Sequence, residues 1–239
     1  MMAKIVYHSF DFDGCFSNEA TDHALGPDWT TKKSNEEVNK IHLDVNREFI
    51  ESLEQGEQTV LLVGSNRQDP YIDLKNSRKK IPPPGSVFPR MEALAEKMGE
   101  TTTFSPFLLP DLEAAEVEIG KTYQEFLKKE YLNKNGSYKD GVEAEQFTKD
   151  GFSEPLDDES KVSLIFAQMR LAAMQNPKDE IEFNFYDDRK DIVEGLQKFF
   201  QENPELIPKN VTLNLKGYSG PKLTQEQVQA NYITLASKS

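Results

Sequence analysis

Ile5-Val6-Tyr7-His8-Ser9-Phe10-Asp11-Phe12-Asp13-Gly14-Cys15 is the stretch whose reading decides the fold. Its first half is apolar, aromatic and β-branched, a composition that favours extended structure. It then ends on two carboxylates one residue apart and a glycine. The expectation is a buried strand that delivers acids to a sheet edge, where the carboxyl ends of strands bind ligands in open α/β sheets. Residues i and i+2 of a strand share a face, so Asp11 and Asp13 are expected side by side. Two like charges that close strain each other's ionisation unless a cation or a shared proton relieves them. The pair points to a Mg²⁺ site, an acid/base couple, or both, and the plain alternative is a solvated turn after a strand.

Working outward, Ser34 with Glu37 three residues on makes a helix start, and Val38, Ile41, Val45, Phe49, Ile50 and Leu53 continue it at helical spacing until Gly56. Gln58 to Arg67 then reads as a second strand, completing a βαβ unit with parallel strands and placing Ser65 and Asn66 at another carboxyl end. A hydroxyl followed by backbone amides suits phosphate oxygens, and it is also an ordinary turn. Met91 to Met98 reads as a helix stopped by Gly99, Phe104 to Leu109 as a third strand or edge segment weakened by Pro106, and Leu112 to Leu132 as an amphipathic helix. Lys161 opens another helix. Glu180 to Arg189 is a strand that again ends in acids, Asp187 and Asp188, and is followed by a helix through Ile192, Leu196 and Phe200. Val211 to Leu215 is a final strand and Thr224 to Ala236 a last helix. The fold class expected is α/β, a Rossmann-like three-layer sandwich around a mainly parallel sheet, in a single domain over 1–239.

Two segments stand outside that alternation. Residues 14–33 lack periodicity and read as a loop or flap beside the first acids; it carries His23, a substrate contact or ligand at most, and Trp29, either a stacking ring or a plug. A small helical or loop elaboration occupies about 111–158, with turn signals at Asn135-Gly136, Asp140-Gly141 and Asp150-Gly151. Arg67, Lys75, Arg78, Lys79 and Lys80 form the one locally basic region, either a solvated face or an aid to recruiting an anionic substrate.

Composition narrows the function classes. A chain of 239 residues, 37% of them apolar, buries a real core. Its net charge of −13, with no basic block interleaved with aromatics, disfavours nucleic acid as a partner. No apolar run is long enough for a membrane span, and the first residues lack a signal-peptide pattern. A single cysteine, Cys15, rules out an internal disulfide and suits a reducing, cytoplasmic setting, with signal-independent export left open.

Asp11-Phe12-Asp13-Gly14, Leu61-Leu62-Val63-Gly64-Ser65-Asn66, Lys161 and Asp187-Asp188, in that order along the chain, resemble the four motifs of the haloacid dehalogenase-like superfamily. The likeness covers Ile5 to about Leu215. Cys15-Phe16 departs from the usual pair after the first motif, and Lys121, Lys128 or Lys149 compete with Lys161 for the third. The resemblance implies a Mg²⁺-dependent phosphatase. Asp11 would be the nucleophile and form an aspartyl phosphate, and Asp13 the acid/base. Ser65, with Asn66 and Arg67, would bind the phosphoryl group, and Lys161 would offset charge. Asp11, the backbone carbonyl of Asp13 and an acid of the fourth motif would hold the metal, Asp188 before Asp187, with Asp191 as a contact through water. Oxygen-only ligands point to Mg²⁺ over zinc. Inserts between the motifs leave room for a small cap or none, so the substrate expected is a phosphoprotein, phosphotyrosine first. Small phosphorylated metabolites, nucleotides, or a non-catalytic or receiver-like phosphate-binding role are the alternatives.

Overall fold

The structure, a computed structural model, describes residues 2–70, 73, 86–113, 118–131 and 159–223. Five strands, β1 (Lys4–Phe10), β2 (Gln58–Val63), β3 (Thr102–Phe104), β4 (Glu180–Asp187) and β5 (Val211–Gly217), form one sheet. Their order is β3-β2-β1-β4-β5 and every pairing is parallel. The chain runs outward from β1 through β2 to β3, then crosses back to β4 on the other side. The order therefore reverses at β1, and the crevice outside the carboxyl ends of β1 and β4 is the topological switch point where α/β sheets bind ligands.

Side-chain alternation builds two cores. Ile5, Tyr7, Val60, Leu62, Ile181, Phe183 and Phe185 point to one face and are covered by α7 (Val162–Gln175) and α8 (Lys190–Glu202) through Ile165, Met169, Ile192, Leu196 and Phe200. Phe10, Leu61, Val63 and Tyr186 point to the other and meet α4 (Arg47–Glu51) and α5 (Val87–Met98) through Ile50, Val87, Phe88, Met91 and Leu94. These are the three layers expected. No helix among the described residues is long and apolar enough to cross a membrane.

Several local expectations change. The flap at 14–33 contains two short helices, α1 (Glu19–Leu25) and α2 (Trp29–Lys32), because Asn18 accepts from Ala20 N and Thr21 N and caps the first. His23 sits on α1 and Trp29 opens α2, both half-buried. The helix begun at Ser34, with its Glu37 capping box, is interrupted: α3 (Asn35–Val45) ends at Asn46 before α4 begins. Asn46 is buried, and its Nδ2 donates to His42 O (2.8 Å) and Phe16 O (3.0 Å) while its Oδ1 accepts from Asn18 Nδ2 (2.9 Å) and Tyr218 Oη (2.6 Å). The third strand is Thr102–Phe104, ending two residues before Pro106 and not running on to Leu109. Around the predicted amphipathic helix the described residues form a 3₁₀ turn at Leu109–Glu113, α6 (Lys121–Phe126) and a π turn at Leu127–Tyr131. The basic residues Lys75, Arg78, Lys79 and Lys80, the excursion at 133–158 and the helix at 224–236 lie outside the described residues.

Two histidines are walled into the second core. His8 has Nε2 2.8 Å from Glu54 O and Nδ1 3.2 Å from the Tyr186 hydroxyl; His42 has Nδ1 2.9 Å from Val38 O and Nε2 3.3 Å from the Ser17 hydroxyl. In each ring one nitrogen faces a carbonyl and must donate, and the other can accept from a hydroxyl, so the neutral form satisfies both. Burial pushes each imidazole down to about 4, against about 6.5 in the unfolded chain. Between those values the unfolded chain binds more protons. The histidine contribution is therefore full above about 6.5 and is lost as pH falls towards 4. The urea midpoint is expected to drop between pH 7 and pH 4.5, and to drop less in His8→Phe; an equal drop would remove His8 as a cause.

Candidate active site

Asp11 stands one residue past the end of β1, with its backbone N–H donating to Tyr186 O at 2.8 Å, so the ends of β1 and β4 are tied together where the strands stop. Its side chain continues the alternation of Tyr7 and Ser9 towards the α7 face. Asp187 ends β4 on the same face, and Lys161 sits at the N-cap of α7 between them. Lys161 Nζ lies 2.6 Å from Asp11 Oδ1 and 2.6 Å from Asp187 Oδ2. The relative exposures are 7% for Asp11, 1% for Asp187 and 3% for Lys161, so this ion triad is shielded from solvent. Lys161 has φ 59°, ψ 11°, a left-handed conformation that costs a non-glycine residue about 1–2 kcal/mol. The two carboxylates hold the ammonium, and with it the strained N-cap, in place.

Asp188 completes the cluster. Asp11, Asp187 and Asp188 each offer a carboxylate oxygen within 4.8 Å of the others. Burial pushes Asp11 up to about 6; Lys161 works against this, and the charges of Asp187 and Asp188 add to it. Asp188 is also raised, first by burial and then by the charge of Asp187. Three crowded carboxylates with one ammonium leave excess negative charge, and an all-oxygen donor set fits a hard divalent cation such as Mg²⁺. Both Asp187 oxygens are engaged, Oδ2 by Lys161 and Oδ1 by Arg189 N (2.9 Å). Asp188 is exposed and lies against Gly14, whose φ of 86° and lack of a Cβ leave room for the carboxylate. Asp188 is thus the more solvent-accessible carboxylate of the pair.

Asp13 does not stand beside Asp11 as strand parity predicted. The strand has ended, and the chain turns over Phe12–Ser17, with Ser17 N donating to Phe12 O (2.8 Å) and Gly14 N to Ser17 O (2.7 Å). The Asp13 side chain, 63% exposed, is gripped side-on by Arg67: Nε to Oδ2 at 2.9 Å and Nη2 to Oδ1 at 2.7 Å. Arg67 in turn reaches the buried Asp73 at 3.0 Å and lies over the Phe12 ring. Burial opposes the Arg67 charge, but Asp13 and Asp73 outweigh it and hold the guanidinium above its ordinary value. Asp13 is outside the carboxylate cluster, and its expected part in metal binding rests on its backbone carbonyl. The like-charge crowding expected between Asp11 and Asp13 falls instead among Asp11, Asp187 and Asp188.

The second-motif residues fare differently from one another. Ser65 is buried at the end of β2, next to β1, with its backbone carbonyl accepting from Gln68 Nε2 at 2.8 Å. Asn66 is exposed, and Arg67 is engaged as described. Asp191, expected as a water-mediated contact, is exposed and paired with Arg189 at 2.6 Å, apart from the cluster. Of the competing lysines, Lys121 pairs with Glu118 on the surface and Lys128 is exposed, while Lys149 lies outside the described residues; Lys161 alone of the four is placed against the acids among the described residues. Sequence reading missed Asp73, for which no local signal exists. It also missed Gln168, which joins Ser9 Oγ (2.7 Å) and Val63 O (2.8 Å) beneath the site. A glutamine on the buried stripe of α7 was the signal for it.

Comparison with family models, with curated proteins and with solved structures found no match for this chain.

Two outcomes follow from this geometry. Lys161→Met leaves two buried carboxylates facing each other and is expected to lower stability by about 3 kcal/mol in urea unfolding. Asp188→Asn removes one charge from the cluster and is expected to weaken Mg²⁺ or Mn²⁺ binding in titration calorimetry; unchanged affinity would exclude Asp188 as a ligand.

Proposed function

We propose that this chain is a Mg²⁺-dependent phosphatase of the haloacid dehalogenase-like kind, hydrolysing phosphomonoesters through an aspartyl phosphate on Asp11. The observation that carries the reading is the Lys161 ammonium seated between Asp11 and Asp187 at a switch point, with Asp188 alongside and Ser65 at the neighbouring strand end. A phosphomonoester dianion repels an anionic nucleophile, so cationic charge has to be in place before Asp11 can approach phosphorus. Lys161 supplies one positive charge. A divalent cation held by Asp11, Asp188 and the Asp13 carbonyl would supply two more as a Lewis acid on the phosphoryl oxygens.

In the first half-reaction an Asp11 oxygen bonds to phosphorus, the phosphorus–oxygen ester bond breaks, and the leaving oxygen takes a proton from Asp13. In the second, Asp13 takes a proton from water. That oxygen bonds to phosphorus, and the acyl phosphate breaks to give inorganic phosphate and the Asp11 carboxylate. Proton delivery to the leaving oxygen requires Asp13 to leave its side-on pair with Arg67, because a carboxylate with both oxygens on a guanidinium has no proton to give. Ser65 donates to the phosphoryl group. Short inserts around the motifs support a macromolecular substrate, a phosphoprotein with phosphotyrosine first, and the lone, buried Cys15 supports a reducing, cytoplasmic setting.

Hydrolysis of an aryl phosphate is expected with Mg²⁺, to disappear with chelator, and to fall about 10³-fold or more in Asp11→Asn. Equal turnover by wild type and Asp11→Asn would remove the nucleophile. A phosphopeptide panel set against sugar phosphates decides the substrate class, and activity confined to the sugar phosphates would overturn the phosphoprotein assignment.

A further inference from the structure

Away from the acid cluster, the outer edge of β3 combines features that the phosphatase reading does not use. Thr59 N donates to Thr101 O at 2.9 Å and Ser105 N to Leu61 O at 2.9 Å. Alternation then turns the backbone groups of Thr101, Thr103 and Ser105 towards β2, and those of Thr102 and Phe104 away from it. Thr102 N is satisfied by Gly99 O at 3.0 Å. The Thr102 carbonyl and both backbone groups of Phe104 therefore face outward, with no strand beside them among the described residues.

A groove runs along this edge, walled by Glu92 and Glu96 of α5, by Glu100, and by Tyr123 and Gln124 of α6. The three glutamates are exposed, and no ion pair among the described residues engages them. Thr102 lines the same groove; it is 7% exposed and its Oγ1 has no hydrogen-bond partner among the described residues. The spacings agree as well. Glu92 and Glu96, four residues apart on a helix, are separated by about 6 Å along its axis, and alternate residues of an extended strand advance about 6.6 Å.

The geometry points to a docking site in which an extended segment of a partner protein, carrying Lys or Arg at alternate positions, adds to the sheet as a further strand beside β3. Its backbone donates to the carbonyls of Thr102 and Phe104 and accepts from Phe104 N–H, and its basic side chains reach Glu92, Glu96 and Glu100 in turn. The charge pattern selects this occupant over a nucleic acid, which the acidic wall repels, and over this same edge of a second copy, which carries the same three acids. The inference stands independently of the phosphatase reading.

The test uses the whole chain and a labelled heptapeptide in which Lys alternates with Val, read by fluorescence anisotropy. The alternating peptide is expected to bind, and the same composition with its lysines in one block to bind about tenfold more weakly. Glu92→Gln combined with Glu96→Gln, two exposed positions that leave the core untouched, is expected to weaken binding about tenfold, as loss of two surface ion pairs implies. N-methylation of alternate peptide residues is expected to abolish binding in one phase and be tolerated in the other. The Phe104 amide is expected to exchange fast in the free chain and slowly in the complex. Equal binding of both peptides, or N-methylation without effect in either phase, would reduce the interaction to unspecific charge attraction and overturn the proposal. A Phe104 amide already protected in the free chain would show the edge to be covered, by this chain or a second copy, and would overturn it too.

Discussion

Lys161 holds Asp11 and Asp187 at 2.6 Å each in a space nearly closed to solvent, and the rest of the arrangement answers to that contact. Taking three charges out of water is expensive, and replacing buried ion pairs with well-packed apolar groups is often neutral or stabilising. The two hydrophobic cores flanking the sheet already provide for stability. A buried ammonium between two acids, on a residue in a strained left-handed conformation, is therefore not explained by stability alone, and it is the arrangement that the proposed reaction would use. It also sets the position of α7, whose first turn must sit over the ends of β1 and β4 for Nζ to reach both carboxylates.

Around this centre the polar groups form two separate sets. The inner set, Asp11, Asp187 and Lys161, is on the α7 side of the sheet, with Asp188 alongside at the strand ends. The outer set, Asp13, Arg67 and Asp73, is on the α5 side, where Asp73 also accepts from the Ser86 hydroxyl and from Val87 N (3.1 Å) at the start of that helix. The turn from Phe12 to Ser17 bridges them. It is fastened from behind by buried amides: Asn46 donates to Phe16 O, Asn18 donates to Cys15 O (2.9 Å), and the Tyr218 hydroxyl closes on Asn46. The interruption between α3 and α4 and the position of the turn after Asp11 thus share one cause, an asparagine satisfied at every polar atom.

Local pattern carried much of the architecture. The apolar runs at Ile5, Gln58 and Glu180 are strands because β-branched and aromatic residues dominate them, and the helical spacings between them left parallel pairing as the simple connection. Acids and a hydroxyl immediately after those runs could only fall at carboxyl ends, so Asp11, Ser65, Asp187 and Asp188 were legible as a group. The capping box at Ser34 and Glu37 was legible for the same reason, since it is made within one turn. Boundaries were less so: the flap became two short helices once Asn18 found Ala20 and Thr21, and β3 ended early, with Pro106 two residues beyond it.

What the residues alone determined, then, is the main strands, their parallel pairing and the edge at which the acids and the hydroxyl collect, because these follow from side-chain periodicity and from chain direction. What only the tertiary structure decided is partnership. Asp13 parts from Asp11 because the chain turns at Gly14, and it meets Arg67 from another strand end, 54 positions away. Lys161 is singled out from other lysines because 150 positions of intervening chain bring its N-cap over Asp11. Such pairings carry no periodic trace, since electrostatic attraction acts through space between groups that the sequence leaves far apart.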